Sequence, residues 1–331
     1  MQQLTRQLLW WTALSMSLAG PVLAQRSAVP AKNYPSKPIR IVVPFPPGGP
    51  VDFIARTVGQ KISAILGQTI VVDNRPGAAG IIGAELVAKS MPDGYTLLLT
   101  TGTQSTTPFF YKKLPYDTVR DFIPVTMVAR NTGHVLVINP NLPVRSVKEL
   151  IAYAKANPGK LNYAAPGYGN TLHLAAELFN VLANVKTTFI QYKGTAPALT
   201  DLISGQVDMF FPDVQTSLPL IQSGRIRAVA VTSTQRLKQL PDVPTLDESG
   251  LKGYKFYGWF SLFFPAATPP EYVGRIQSAV ASAVNDAEVK RRFDELGLEG
   301  VGSKPEEFAK FFAEDRAFYK ELTTKMGVVP Q

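Results

Sequence analysis

The chain contains no cysteine and only two histidines, His134 and His173, among 331 residues. Without cysteine there is no disulfide, thiolate metal site, cysteine nucleophile or lipid-bearing N-terminal Cys. Two imidazoles leave little material for acid–base or metal chemistry. Catalytic signatures are missing as well. No Gly-x-Ser-x-Gly elbow and no Walker A lysine pattern occur. Gly167-Tyr168-Gly169 meets Leu172 where a dinucleotide fingerprint needs its third small residue. His173 and Glu177 share a helix face four residues apart, but no third ligand stands near, so no metal is expected. Long apolar runs are also scarce. After the first two dozen residues no stretch approaches the roughly 18 residues of a membrane span.

What is present begins with a targeting segment. Arg6 precedes the apolar run Leu8 to Leu14, and Val22-x-Ala24 fits the small-residue rule for signal-peptide cleavage after Ala24. Residues 1–24 therefore read as a signal peptide of an exported, periplasmic protein, and residues 25–37 as a flexible, proline-rich lead-in. Removal of 24 residues leaves 307, and loss of Arg6 takes the net charge from +9 to +8. A basic exported chain is compatible with anionic small molecules, an anionic membrane surface or a charged partner. Its cations are scattered, so no nucleic-acid partner is expected.

The remainder alternates short apolar runs with helical patterns, the rhythm of a parallel α/β sheet. Strands are expected at Ile39–Phe45, Thr69–Asp73, Tyr95–Thr100, Val135–Ile138, Leu161–Ala164, Thr188–Tyr192, Val207–Phe211 and Arg227–Thr232. Helices are expected at 51–66, 79–90, 147–156, 171–183, 196–204, 216–223, 270–285, 287–296 and 304–326, with capping boxes at Ser146/Glu149 and Ser303/Glu306. Two apolar strands, Ile123–Ala129 and Phe256–Phe264, break the rhythm and suit two crossings between domains. The expected division is a discontinuous domain 1 (38–129 plus 254–331) and an inserted domain 2 (130–253), with a ligand cleft between them.

Three glycine-bearing strand-to-helix turns mark candidate binding loops. The first is Pro44-Phe45-Pro46-Pro47-Gly48-Gly49-Pro50-Val51-Asp52. The others are Ala165 to Thr171, and Tyr192-Lys193-Gly194-Thr195-Ala196-Pro197. Helix starts carry unpaired N–H donors and partial positive charge, so they suit carboxylates. A hydroxyl-rich loop, Thr100 to Thr107, adds Thr103 to the candidates, and the third turn adds Lys193. Asp52 is a first-turn acid that suits the helix dipole. Asp213 could point into the cleft and meet an amine. Trp259, Tyr257, Phe45 and Tyr168 are candidate pocket walls, although core packing is the better default for Trp259 and Tyr257.

Along nearly all of its mature length the chain resembles the Bug receptors of tripartite tricarboxylate transporters. The resemblance rests on the first loop, on Val72-Asp73-Asn74-Arg75-Pro76-Gly77-Ala78-Ala79-Gly80, and on Pro92-Asp93-Gly94-Tyr95-Thr96-Leu97-Leu98. It extends through His173-Leu174, the Tyr192 to Leu202 segment, Leu240-Pro241-Asp242-Val243-Pro244-Thr245 and Pro265-Ala266-Ala267-Thr268-Pro269. It implies a two-domain type II periplasmic-binding-protein fold, a Venus flytrap with two interdomain crossing strands. It also implies a cofactor-free monomer that closes on a small carboxylate and delivers it to membrane permease subunits. Carried over, Phe45, Gly48 and Gly49 surround the carboxylate, Ser105 and Thr107 join from the hydroxyl loop, and Gly169, Asn170 and Thr171 face them. Such receptors often carry Asn where Thr107 stands here. Two other readings are a sensor acting through a signalling partner and a secreted α/β hydrolase; the missing triad argues against the latter.

Overall fold

The computed structural model describes residues 34–331; the signal segment, its cleavage point and most of the lead-in lie outside the described residues. The elements run β1 (Ile39–Val43), α1 (Pro50–Leu66), β2 (Ile70–Asn74), α2 (Ile81–Ala88), β3 (Thr96–Thr101), α3 (Thr103–Phe110) and β4 (Phe122–Asn131). Then come β5 (Val135–Ile138), α4 (Val147–Ala156), β6 (Asn162–Ala165), α5 (Thr171–Ala183), β7 (Thr188–Gln191), α6 (Thr195–Ser204), β8 (Met209–Phe210), α7 (Val214–Gln222) and β9 (Arg227–Val231). The chain finishes with β10 (Trp259–Pro265), α8 (Pro270–Asn285), α9 (Ala287–Glu295), β11 (Leu298–Gly300) and α10 (Pro305–Lys325).

Two sheets result, one per lobe. The first has the order β11-β4-β10-β3-β1-β2, the second β7-β6-β8-β5-β9. In the first, β1 runs parallel to β2 and β3, while β10 lies antiparallel between β3 and β4. In the second, β6 runs parallel to β7 and β8, and β5 is antiparallel to β8 and β9. The inner strands of both sheets are buried on both faces, which explains why they read as unbroken apolar runs, whereas the edge strands β2 and β7 are partly exposed. Alternation sorts the side chains. Ile39, Ile41 and Val43 of β1 join Phe260 and Leu262 of β10 in the core beneath α1 and α8. Val42 and Phe263 turn to the other face, against Phe308 and Phe312 of α10. In the second lobe Leu136, Tyr163 and Met209 face one core, and Val137, Ala164 and Phe210 face the other.

The chain passes between lobes where β4 gives way to β5 and again between β9 and β10. A third link joins them. Phe110 at the end of α3, together with Tyr319 and Leu322 of α10, packs in the second lobe's core beside Tyr254 and Phe256. The C-terminal Gln331 closes the same seam, its N–H donating to the Phe110 carbonyl at 2.9 Å.

Several elements differ from expectation. The hydroxyl-rich segment is a helix, α3, because packing against α10 and the second lobe overrides the weak helix preference of its Thr residues. The 79–90 helix starts as a single 3-10 turn, Ala78–Gly80, with Ala79 at φ +54° before α2 begins. Ser303 does not cap α10. Its hydroxyl accepts from the Met127 N–H at 3.0 Å, and Lys304 is the capping position, its N–H donating to Glu307 Oε2 at 3.0 Å. Strand β11 was not expected; three residues are too few to carry a pattern.

The seam of α3, β10 and α10 contains an acid. The Trp259 indole N–H donates to Asp315 Oδ2 at 3.1 Å, and the buried Ser105 hydroxyl lies beside the same carboxyl. Burial pushes the Asp315 carboxyl up to about 6, against the opposing pull of Ser105 and Trp259. Between the ordinary value of 3.8 and about 6 only the folded state holds this proton. Its stabilising contribution is therefore complete below the lower value and lost as pH rises through the upper one. Asp315→Asn removes that loss. Its stability relative to the parent should rise between pH 4 and pH 7 by up to about 3 kcal/mol, two pKa units. Urea unfolding at stepped pH measures this, and a pH-independent difference would contradict it.

Candidate functional site

Four helices of the two lobes begin at one cavity of about 310 Å³. Its lining includes the start of α1 (Gly48, Gly49, Pro50, Val51), of α5 (Asn170, Thr171, Leu172), of α6 (Gly194, Thr195, Ala196) and of α7 (Asp213, Gln215, Thr216). Phe45, Thr101, Trp259 and Phe260 form much of the remaining wall. No Lys or Arg lines it, and Asp213 is its one acid. Each helix start brings unpaired backbone N–H groups. At α1, α6 and α7 no side chain caps them.

The α1 loop is held in shape from behind. Gly48, at φ +79°, takes a conformation that favours glycine, and its N–H donates to Asp52 Oδ2 at 3.0 Å. Asp52 also pairs with Arg56, whose Nη2 lies 2.9 Å from Oδ1. Burial works to raise the Asp52 carboxyl, but Arg56, the Gly48 N–H and Asn74 hold it below the ordinary carboxylate value. Asn74 itself donates to the Phe45 carbonyl at 3.1 Å. Asp52 thus braces the loop from outside the cavity wall.

The lobes touch around the cavity. Asn170 accepts from the Leu172 N–H at 2.9 Å, capping α5, and its Nδ2 reaches Thr103 Oγ1 in the other lobe at 3.3 Å. Thr103 in turn shares a 2.8 Å hydrogen bond with the hydroxyl of Thr101. A Cβ on Gly194 would stand 3.2 Å from Pro46, and one on Gly167 3.0 Å from the Ala79 Cβ. Glycine at these two places lets the lobes meet.

Of the sequence candidates, Phe45, Gly48, Gly49, Asn170, Thr171 and Asp213 meet at the cavity. The others lie elsewhere. Thr103 stands behind Thr101. Ser105 faces Asp315, and Thr107, also fully buried, lies beside Tyr116. Gly169 packs on Phe110 and its carbonyl accepts from Thr106 Oγ1 at 2.5 Å. Lys193 is exposed, one residue before the lining Gly194. Trp259 is a wall, whereas Tyr257 bonds Thr234 at the surface. Tyr168 meets Phe110 edge-on and His173 at a tilt, outside the cavity. His173 is buried among aromatic rings, and that burial pushes it down to about 3, so it stays neutral.

Gln215 and Thr216 were missed as candidates, whereas Thr195 of the third glycine turn lines the cavity. The α7 start follows Phe211-Pro212-Asp213, a strand-to-helix turn without glycine, so a search for glycine turns passes over it. Gln215 is notable because its Nε2 and Oε1 are both buried without a hydrogen-bond partner in the protein. Among the described residues no group of three or more His, Asp or Glu side chains is placed to hold a metal, and no helix is long and apolar enough to cross a membrane.

Comparison with known proteins follows this geometry. The model of the tripartite tricarboxylate transporter family receptor matches residues 54–328. A UPF0065 protein from a Pseudomonas species, encoded between tcbD and tcbE, is 40% identical over 290 residues, covering 87% of this chain and 86% of that protein. Among solved structures, an R. palustris protein with adipate superposes with a TM-score of 0.86 at 35% identity, covering 90% of this chain and all of that one. The periplasmic binding protein BugD superposes at 0.85, also at 35% identity over 90% of this chain and all of its own. The two-lobed α/β architecture, the cleft ringed by helix starts and the family match agree, and this chain belongs to the tripartite tricarboxylate transporter receptor family, with the Bug proteins.

Proposed function

We propose that this protein is an extracytoplasmic receptor that captures a small carboxylate between its lobes and passes it to the permease subunits of a tripartite transporter. One observation carries the reading: four helix N-termini converge on a cavity that has no Lys or Arg. Backbone N–H groups at helix starts favour anions without the permanent charge of a cation. The adipate complex of the R. palustris relative supports the same ligand class. Binding without turnover fits a cavity whose only titratable groups are Asp213 and His134, with no hydroxyl held against a general base. In this reading export follows cleavage after Ala24, and residues 130–253 move as the closing lobe against 38–129 with 254–331.

Isothermal titration of residues 25–331 with a panel of mono- and dicarboxylates and amino acids tests the proposal. Saturable binding of at least one acid is expected, and no binding across the panel would overturn it. Because the donors are enclosed dipoles rather than surface cations, affinity should change by less than about threefold between 0.05 and 0.5 M NaCl. A steep fall with salt would instead point to exposed cations.

Asn170→Ala should weaken binding about five- to tenfold. It removes the α5 cap, which lies within one lobe, and the link to Thr103, which crosses between lobes and is worth about 1 kcal/mol. An unchanged Kd in a folded variant would show that neither contact contributes to closure.

A further inference from the structure

We propose that Asp213 makes this receptor selective for acids that also carry an ammonium group, that is amino acids, over dicarboxylates. The inference rests on the receptor reading above and concerns the other end of the ligand.

Asp213 occupies the capping position of α7 but does not cap it; its side chain accepts no bond from the helix's own N–H groups. At the capping positions of α4, α5 and α9, by contrast, Ser146, Asn170 and Asp286 do so. The Asp213 carboxylate turns instead toward the crossing between the lobes. Asn131 Nδ2 donates to its Oδ1 at 2.8 Å, and His134 Nδ1 lies 3.3 Å from the same oxygen. Asn131 cannot turn its amide around, because its Oδ1 accepts from the Gly258 N–H at 2.7 Å. His134 is anchored through its backbone N–H, which donates to Thr232 Oγ1 at 2.7 Å. One acid is thus held by Asn131 and His134 of the first crossing, themselves bonded to Gly258 and Thr232 of the second, at 5% exposure in the wall of the ligand cavity.

The electrostatic consequence is asymmetric. The shorter of the two contacts to Asp213 comes from a neutral amide, and no Arg or Lys lines the cavity to offset the acid. A second carboxylate on the ligand would face like charge in an enclosed space, whereas an ammonium would face opposite charge. Repulsion of the wrong ligand contributes to selectivity as much as attraction of the right one. An ammonium also has three N–H donors to satisfy. Asp213 Oδ2 provides one acceptor. Gln215, two residues along, provides another, since its Oε1 is buried without a protein partner. A buried amide left unpaired is costly, and a ligand donor relieves it.

The test uses matched ligands on residues 25–331: 4-aminobutyrate, butyrate and succinate, then L-glutamate and glutarate, then L-alanine and propionate. Titration calorimetry gives each Kd. In at least one set the amino acid should bind ten or more times tighter than its deaminated partner, and tighter than any diacid. Asp213→Asn should shrink that ratio at least tenfold and improve the diacids, with circular dichroism confirming the fold. Should that variant not fold, the parent series decides alone. Diacids binding as tightly as amino acids, or an Asp213→Asn variant that shifts all ligands equally, would overturn the assignment while leaving carboxylate capture intact. Failure of every acid to bind would overturn both.

Discussion

Unsatisfied backbone donors at helix starts are the constraint on which the rest of this structure depends. An α-helix leaves its first N–H groups without partners, and parallel α/β topology places those groups just beyond the carboxyl ends of the strands. Here two such sheets face each other. The starts of α1, α5, α6 and α7 therefore meet in one cavity, and three of them lack a side-chain cap. Much of the remaining machinery serves to keep these donors in place. Asp52, Arg56 and Asn74 fix the α1 loop from outside, and Asn170 spends one side of its amide on its own helix and the other on the opposite lobe.

How the lobes are joined sets which side can open. At the crossings, Asn131 links Asp213 of one lobe to the Gly258 N–H that leads into β10 of the other. Along α3 and α10, Phe110, Tyr319 and Leu322 are rooted in the second lobe's core. The α3 and α10 contacts are buried and apolar, so parting them exposes large side chains to water. The contacts of Pro46 with Gly194 and Ala79 with Gly167 are small, and separating them exposes little. In the proposed closing motion, opening would cost least on the loop side, with the α3–α10 seam as the fixed edge.

Most of the architecture was legible because it depends on local pattern. Strands buried on both faces read as apolar runs, and α4, α5 and α8 were bounded to the residue by caps and periodicity. The site was legible where a turn carried glycine. At α7, where proline takes the place of glycine in the turn, only Asp213 stood out and Gln215 escaped notice. Segment 103–110 is dense in Thr and Ser and contains Pro108, all of which favour a loop locally. Its helix exists because α10, two hundred residues later, packs against it. The partners of Asp213 were hidden for the same reason. Asn131 lies 82 positions away, and no periodicity connects the two.

Dividing the donors between lobes has a mechanical consequence that a cationic pocket would not share. An arginine carries its charge into the open state, so it would hold an acid whether or not the lobes have met. Backbone donors of α1 in the first lobe and of α5, α6 and α7 in the second share one cavity, so in the proposed motion they would converge only on closure. For an acid held there, most of the differential affinity belongs to the closed form, and closure and capture become one equilibrium. A partner that pries the loop side apart then removes the donors of one lobe together, without competing for the ligand. The same division explains why the acid in the wall sits at the crossing rather than at the mouth. A group that discriminates between ligands must hold its place while the lobes move, and Asp213, tied to the first crossing and through it to the second, is fixed where relative motion is least.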